Sequence, residues 1–123
     1  MLLWKEMLDI NCLSQVVYYE ARGEPRLGQE AVAHVVVNRS AAWKRPICAI
    51  VYQPSQFSWT NQAVKSPFGN SWVLANIIAG NILEGGTKDP TNGALYFHST
   101  SVHPSWANKK RFMLQIGRHK FYK

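Results

Sequence analysis

Residues 8–38 read LDINCLSQVVYYEARGEPRLGQEAVAHVVVN, and this stretch decides the fold. Leu13, Val16 and Val17, with Glu20 continuing the series, follow the i, i+3, i+4, i+7 spacing of one helix face over about 8–21. Arg22-Gly23-Glu24-Pro25 ends that helix, since glycine commonly follows a helix and the residue before proline is pushed away from helical angles. Pro25 suits a first helical turn, so a second helix is expected from about Pro25 to Asn38. Its segment Ala31-Val32-Ala33-His34-Val35-Val36-Val37 is apolar almost all round, which makes this helix central. The β-branched run also suits a strand, but Gly28-Gln29-Glu30-Ala31 ahead of it favours helix.

Working outward, a short helix or turn is expected around Ile47 to Tyr52, and a strand or extended loop at Gln56-Phe57-Ser58-Trp59. A third helix covers about Trp72 to Glu84, with Val73, Ile77, Ile78 and Ile82 or Leu83 on one side, and Gly85-Gly86 stops it. After the turn Asp89-Pro90-Thr91-Asn92-Gly93, the run Ala94 to His98 reads as a strand. Arg111 to Gly117 and His119 to Tyr122 read as a hairpin or two short strands. Helices come first and strands last, so the expected class is α+β with segregated layers. With 123 residues, 46% hydrophobic and 17% charged, the chain suits one globular domain over residues 1–123. Such a length buries a core without disulfide or metal staples.

Fourteen Lys and Arg against seven Asp and Glu give a net charge of +7, which favours polyanionic partners: nucleic acid, anionic membranes or anionic wall polymers. The carboxylates are Glu6, Asp9, Glu20, Glu24, Glu30, Glu84 and Asp89, and any acid–base chemistry draws on these. Cys12 and Cys48 form no Cys-x-x-Cys pair, so zinc sites of usual spacing are absent, and both read as buried thiols, with a disulfide between them as the lesser alternative. Residues 1–6, MLLWKE, lack a basic stretch followed by an apolar core of signal-peptide length. No apolar run approaches the ~20 residues that span a bilayer. Synthesis in the cytoplasm without an export signal is therefore expected.

Glu20 is the unusual placement, because its helical position shares the inward face of Leu13, Val16 and Val17. A carboxyl held against apolar side chains resists ionisation and keeps its proton nearer neutral pH, as a general acid must. Gly23 and Pro25 open the backbone just after it, towards a groove. The plainer alternative is that Glu20 pairs with Arg22 and decorates a helix end. Glu24 reads as a cap for the second helix or a partner of Arg22, and Glu30 with His34 as a solvated face or structural pair. Glu6, Asp9, Glu84 and Asp89 read as caps and turn formers.

Tyr19-Glu20-Ala21-Arg22-Gly23-Glu24-Pro25, then Gly28 to Ala33 and Val37-Asn38-Arg39, closely resemble the spore cortex-lytic type of cell wall hydrolase. The likeness continues through Val51 to Ser58, Asp89 to His98 and Ile116 to Tyr122, in the family's order. It implies a lysozyme-like fold related to lytic transglycosylases, and cleavage between N-acetylmuramic acid and N-acetylglucosamine in peptidoglycan. It also implies that Glu20 is the catalytic acid, and that Glu24 lines or braces the same cleft.

A hydrolysing muramidase usually wants two carboxylates flanking the bond. A lytic transglycosylase works with one, which first protonates the leaving oxygen and then deprotonates the muramoyl 6-hydroxyl. No second acid is clearly placed opposite Glu20, so transglycosylation is favoured and hydrolysis by the same Glu is the alternative. Sugar faces stack on aromatics, for which Tyr19, Phe57, Trp59 and Tyr96 are the candidates, with Phe57 and Tyr96 equally readable as core. Gln53, Gln56, Ser58 and His98 are the polar candidates for the same substrate. His98 and His103 lack a third ligand, so neither metal nor cofactor is expected.

The chain departs from the spore enzymes in showing neither an export signal nor a wall-binding region. With its positive charge it resembles a phage or prophage endolysin, monomeric, reaching the wall on the periplasmic or outer side after release. Lys109, Lys110, Arg111, Arg118, His119, Lys120 and Lys123 then bind anionic envelope polymers, or simply form a solvated surface. A nucleic-acid-binding module would need a recognition signature or a basic helix face, and neither is present. A wall-binding protein without activity would not need Glu20, and an amidase would need metal ligands or a Cys–His pair.

Overall fold

The two helices expected in the N-terminal half are both present, and both outrun their apolar stripes. A computed structural model describes residues 3–123. Helix α1 (Trp4–Ala21) buries Leu13, Val16 and Val17 completely. Its first turn is closed by Glu6, whose carboxylate accepts the Leu3 backbone N–H at 2.8 Å. It ends as Gly23 takes φ +87°, and Glu24 donates its backbone N–H back to the Ala21 carbonyl at 3.0 Å.

Helix α2 (Arg26–Trp43) buries every residue from Ala31 to Val36, the all-round apolar segment, and so runs through the core. Pro25 occupies its N-cap, and Glu24 does not cap it. His34 is buried, with Nε2 3.1 Å from Thr87 Oγ1, while Glu30 lies 3.8 Å from Arg26. The solvated-face reading of that pair therefore fails for His34.

Helix α3 (Ile47–Val51) is one short turn whose Cys48 is disulfide-bonded to Cys12 of α1, with Cα atoms 5.4 Å apart. The favoured reading as two buried thiols is thus corrected and the disulfide alternative holds; the fold brings residues 36 apart in sequence into bonding range. Phe57 is extended, but Ser58–Asn61 forms a 3-10 turn and not a strand.

Helix α4 (Gly69–Leu83) buries Ala75, Ile78, Ala79 and Ile82, while Val73 and Ile77 point outward. The expected stripe is rotated: Ile78 and Ile82 stay inside, but Ala75 and Ala79 join them in place of Val73 and Ile77, and these small residues permit close packing on α1.

Three short strands follow, β1 (Tyr96–Ser99), β2 (Phe112–Ile116) and β3 (His119–Tyr122), in the antiparallel order β1-β3-β2. Gly117 and Arg118 make the β2–β3 turn, with Gly117 at φ +56°. The Asp89 carboxylate organises the entry to β1, accepting the N–H groups of Thr91 and Gly93, both at 2.8 Å, and Asn38 Nδ2 at 2.9 Å. The sheet packs on α2, where a methyl at Gly28 would already touch Ile116 at 3.5 Å. This is the expected α+β arrangement, with the end of α1 left between the helical layer and the sheet.

Candidate active site

Glu20 occupies the last turn of α1, where the helical face carrying Leu13, Val16 and Val17 emerges from the core. Its carboxyl borders two cavities. One, of about 360 Å³, is lined by Arg39, Gln56, Phe57, Tyr96 and Trp106 among others. The other, of about 220 Å³, is lined by Arg22, Glu24, Arg118 and the hydroxyl run Ser99-Thr100-Ser101. Burial pushes the Glu20 carboxyl above its ordinary pKa. A hydrogen bond from Trp59 Nε1 to Oε2, at 3.0 Å, opposes that shift in part. Desolvation disfavours the carboxylate more than one neutral donor restores it, so the net direction is upward. Arg22 does not pair with Glu20; its guanidinium lies 4.5 Å from the centroid of the Tyr18 ring.

Trp59 is itself clamped. Its ring stacks on Tyr19 at 4.8 Å and on Phe57 at 5.8 Å, and Phe57 in turn stacks on Phe97 of β1 at 6.2 Å. Rings held on both faces fix the indole N–H, and hence the carboxyl it meets. Trp59 and Phe57 are 8% and 5% exposed, so neither offers an open face to a sugar. Phe57 still contributes an edge to the larger cavity, and Trp59 stands behind Glu20.

Arg39 of α2 holds the two walls of the larger cavity together. It donates through Nε to the Leu95 carbonyl at 2.6 Å and through Nη1 to Gln56 Oε1. Burial lowers its pKa to about 10, still far enough above neutrality to keep the guanidinium charged. Tyr96 lines this cavity beside Trp106, with Lys110 Nζ 4.5 Å from its ring centroid.

Glu24 is buried and borders the smaller cavity, but its oxygens are spoken for. Oε1 accepts the backbone N–H of Arg118 at 2.8 Å, and Oε2 accepts Arg118 Nε at 2.9 Å. The Arg118 backbone N–H, with its guanidinium, keeps the Glu24 carboxyl below its ordinary pKa. His119 lies 3.7 Å from Glu24 Oε1, but burial lowers its pKa, so Arg118 supplies the countercharge. Its partner is thus Arg118 and not Arg22.

The remaining sequence candidates are scattered. Tyr19 faces a neighbouring cavity and Gln56 the larger one at Glu20. Gln53 sits in the turn after α3 and Ser58 opens the 3-10 turn, and neither is among the residues lining the two cavities at Glu20. His98 points to the other face of the sheet, bonded to the Tyr122 hydroxyl at 2.8 Å, beside a separate cavity of about 450 Å³ that His103 and Lys120 also line. Arg39, Phe97, Trp106 and the Ser99–Ser101 run were not singled out from sequence. Strand alternation places Phe97 and Ser99 opposite His98, but it does not sort the site, since Tyr96 on the His98 side also lines the larger cavity. Among the described residues, no group of three or more His, Cys, Asp or Glu could hold a metal ion.

A family model described as Cell Wall Hydrolase matches residues 23–122, beginning three residues past Glu20. The spore cortex-lytic enzyme of Bacillus cereus is 33% identical over 94% of this chain and 44% of its own length. That of Oceanobacillus iheyensis is 34% identical over 94% of this chain and 41% of its own. The chain thus spans about two fifths of the length of these curated relatives. Among solved structures, the catalytic domain of the germination-specific lytic transglycosylase SleB from Bacillus anthracis superposes with a TM-score of 0.77 at 30% identity, covering 94% of this chain and 93% of that one. The catalytic domain of the Bacillus cereus SleB protein gives a TM-score of 0.73 at 31% identity, over 95% and 91%. With the family match spanning most of its length, the chain belongs to the cell wall hydrolase family.

Proposed function

We infer that residues 1–123 form a single peptidoglycan-cleaving catalytic domain, a lytic transglycosylase in which Glu20 is both acid and base. The observation that carries this reading is one carboxyl, kept protonatable by burial, at the junction of two cavities. A glycan strand laid through both would bring the β-1,4 bond between N-acetylmuramic acid and N-acetylglucosamine beside it. Glu20 gives its proton to the glycosidic oxygen as the bond from muramoyl C1 breaks. As a carboxylate it then takes the proton of the muramoyl 6-hydroxyl, whose oxygen bonds to C1 and closes the 1,6-anhydro ring. No water is consumed, and Glu20 ends protonated as it began.

Hydrolysis would call for a second carboxylate as nucleophile or base. Glu24 is the other acid beside these cavities, and both its oxygens are occupied by Arg118. This favours the anhydro product over the hydrolysing N-acetylmuramidase alternative. Digestion of purified peptidoglycan by wild type and Glu20→Gln, with muropeptides identified by mass spectrometry, tests the reading. Anhydromuramoyl ends from wild type alone support it; reducing muramic ends select the hydrolase, and an active Gln variant removes Glu20 from the chemistry.

We further propose an endolysin role, acting on the wall after release and as a monomer; the net charge of +7 supports its contact with an anionic wall. Lys109, Lys110, Arg111, Arg118 and Lys123 are exposed and suit anionic envelope polymers, whereas His119 is buried and drops out of that surface. Lysis of permeabilised cells on external addition, lost at high salt, is the corresponding measurement.

A further inference from the structure

A cavity of about 650 Å³, larger than either cavity at Glu20, adjoins the cleft through Arg22, which lines it and the smaller Glu20 cavity alike. Its chemistry differs from theirs. Tyr19, Val64 and Phe68 supply apolar surface, and Arg22 and Lys65 supply two positive charges, with no carboxylate among the lining residues. Neither cation is in a salt bridge among the described residues. Arg22 is seated over the Tyr18 ring, and Val64 and Phe68 leave 43% and 68% of their surfaces open.

The cavity is also tied to the catalytic carboxyl. The Tyr19 hydroxyl donates to the Lys65 carbonyl at 2.6 Å, which pins that loop to α1. The same Tyr19 ring stacks on Trp59, which holds Glu20. On an intact strand the lactyl carboxyl of each muramoyl residue is tied up in the amide to its stem, so the sugars themselves, with hydroxyls and acetamido groups, give two unpaired cations nothing to neutralise. The muramoyl residues of peptidoglycan carry short peptides that present methyl groups and free carboxylates, and this matches an apolar pocket with Arg and Lys at its rim.

We propose that this cavity is a subsite for the stem peptide, in which Arg22 and Lys65 receive a free peptide carboxylate while Tyr19, Val64 and Phe68 cover its apolar groups. The proposal rests on peptidoglycan being the substrate, and it makes the enzyme selective for strands that still carry charged stems.

Three substrates test it: glycan strands with intact stems, the same strands with stem carboxylates chemically amidated, and strands stripped of stems by an amidase and then amidated at the lactyl carboxyl that stripping exposes. Wild type is expected to show kcat/KM about tenfold higher on intact stems than on the other two, the size of one charge-assisted contact. Lys65→Glu and the milder Lys65→Gln are expected to flatten that ranking, with folding checked by circular dichroism. Equal rates of wild type on all three substrates overturn the subsite and leave the transglycosylase reading intact. A ranking that survives in folded Lys65 variants also overturns it as drawn. Failure of wild type to cut any of the three overturns both readings together.

Discussion

Trp59 Nε1 and Glu20 Oε2 stand 3.0 Å apart, joining a 3-10 turn to the end of α1 across 39 residues of sequence. This N–H stabilises the carboxylate form and fixes its direction, while burial favours the acid form. Trp59→Phe keeps the aromatic stack and removes the donor, so the Glu20 pKa rises further. Because the proposed mechanism needs Glu20 protonated, the alkaline limb of the pH–rate profile is expected to move to higher pH as kcat falls about tenfold. An unmoved limb would deny the contact any influence on the acid. The smaller ring also costs about 1–3 kcal/mol of stability.

The raised pKa of Glu20 has a cost in stability that depends on pH. Between the ordinary carboxylate pKa and the higher folded value, the folded state binds more protons than the unfolded one. Stability therefore falls as pH rises through that window, and stays lowered above it. Glu20→Gln cannot ionise and accepts the same Trp59 N–H through its amide oxygen. The variant is expected to melt above wild type at neutral pH, with the difference closing as pH drops below the ordinary carboxylate range. Thermal melts of both proteins across pH measure this, and a pH-independent difference would count against a perturbed Glu20.

Glu20 was legible because helical periodicity is local: Leu13, Val16 and Val17 announce its face within two turns. Trp59 was read as a sugar platform and Arg39 was not singled out, since their work lies in contacts to Glu20, Gln56 and Leu95 that only the fold creates. The helix α4 was found but its stripe was misjudged, because large Val73 and Ile77 look more like core than Ala75 and Ala79 do. His98 was drawn to the site as a polar strand residue, but its ring is held by the Tyr122 hydroxyl beside a separate cavity. The Glu24 partner failed for a different reason: Arg22 is near in sequence, and Arg118 is 94 residues away.

The Glu24–Arg118 contact depends on a glycine at the β2–β3 turn. A Cβ at Gly117 would lie 2.5 Å from Glu24 Oε1, and the residue already sits at φ +56°. Gly117→Ala is therefore expected to cost about 2–4 kcal/mol. Glu24→Gln, which keeps the shape, is expected to cost about 1–3 kcal/mol at neutral pH. The Glu24 pKa is depressed, so its contribution is present above the ordinary carboxylate value and is lost as pH falls through the folded one. Denaturant titrations at neutral and acid pH check both points. Detectable activity in Glu24→Gln beside none in Glu20→Gln would separate a brace from an acid.

Cys12 and Cys48 join α1 to α3 and close a loop across a separation of 36 residues. Constraining a loop of that length in the unfolded chain is worth about 4 kcal/mol on the chain-entropy account. The bond anchors the helix whose far end carries Glu20, so its loss acts on the helical layer and not on the sheet. Reductant is expected to lower the denaturation midpoint of wild type by that order, and Cys12→Ser to show the lower midpoint with or without reductant. Mass spectrometry of alkylated protein reports whether the thiols are free in each sample. A wild-type midpoint unchanged by full reduction would mean that packing between α1 and α3 holds them together without the bond.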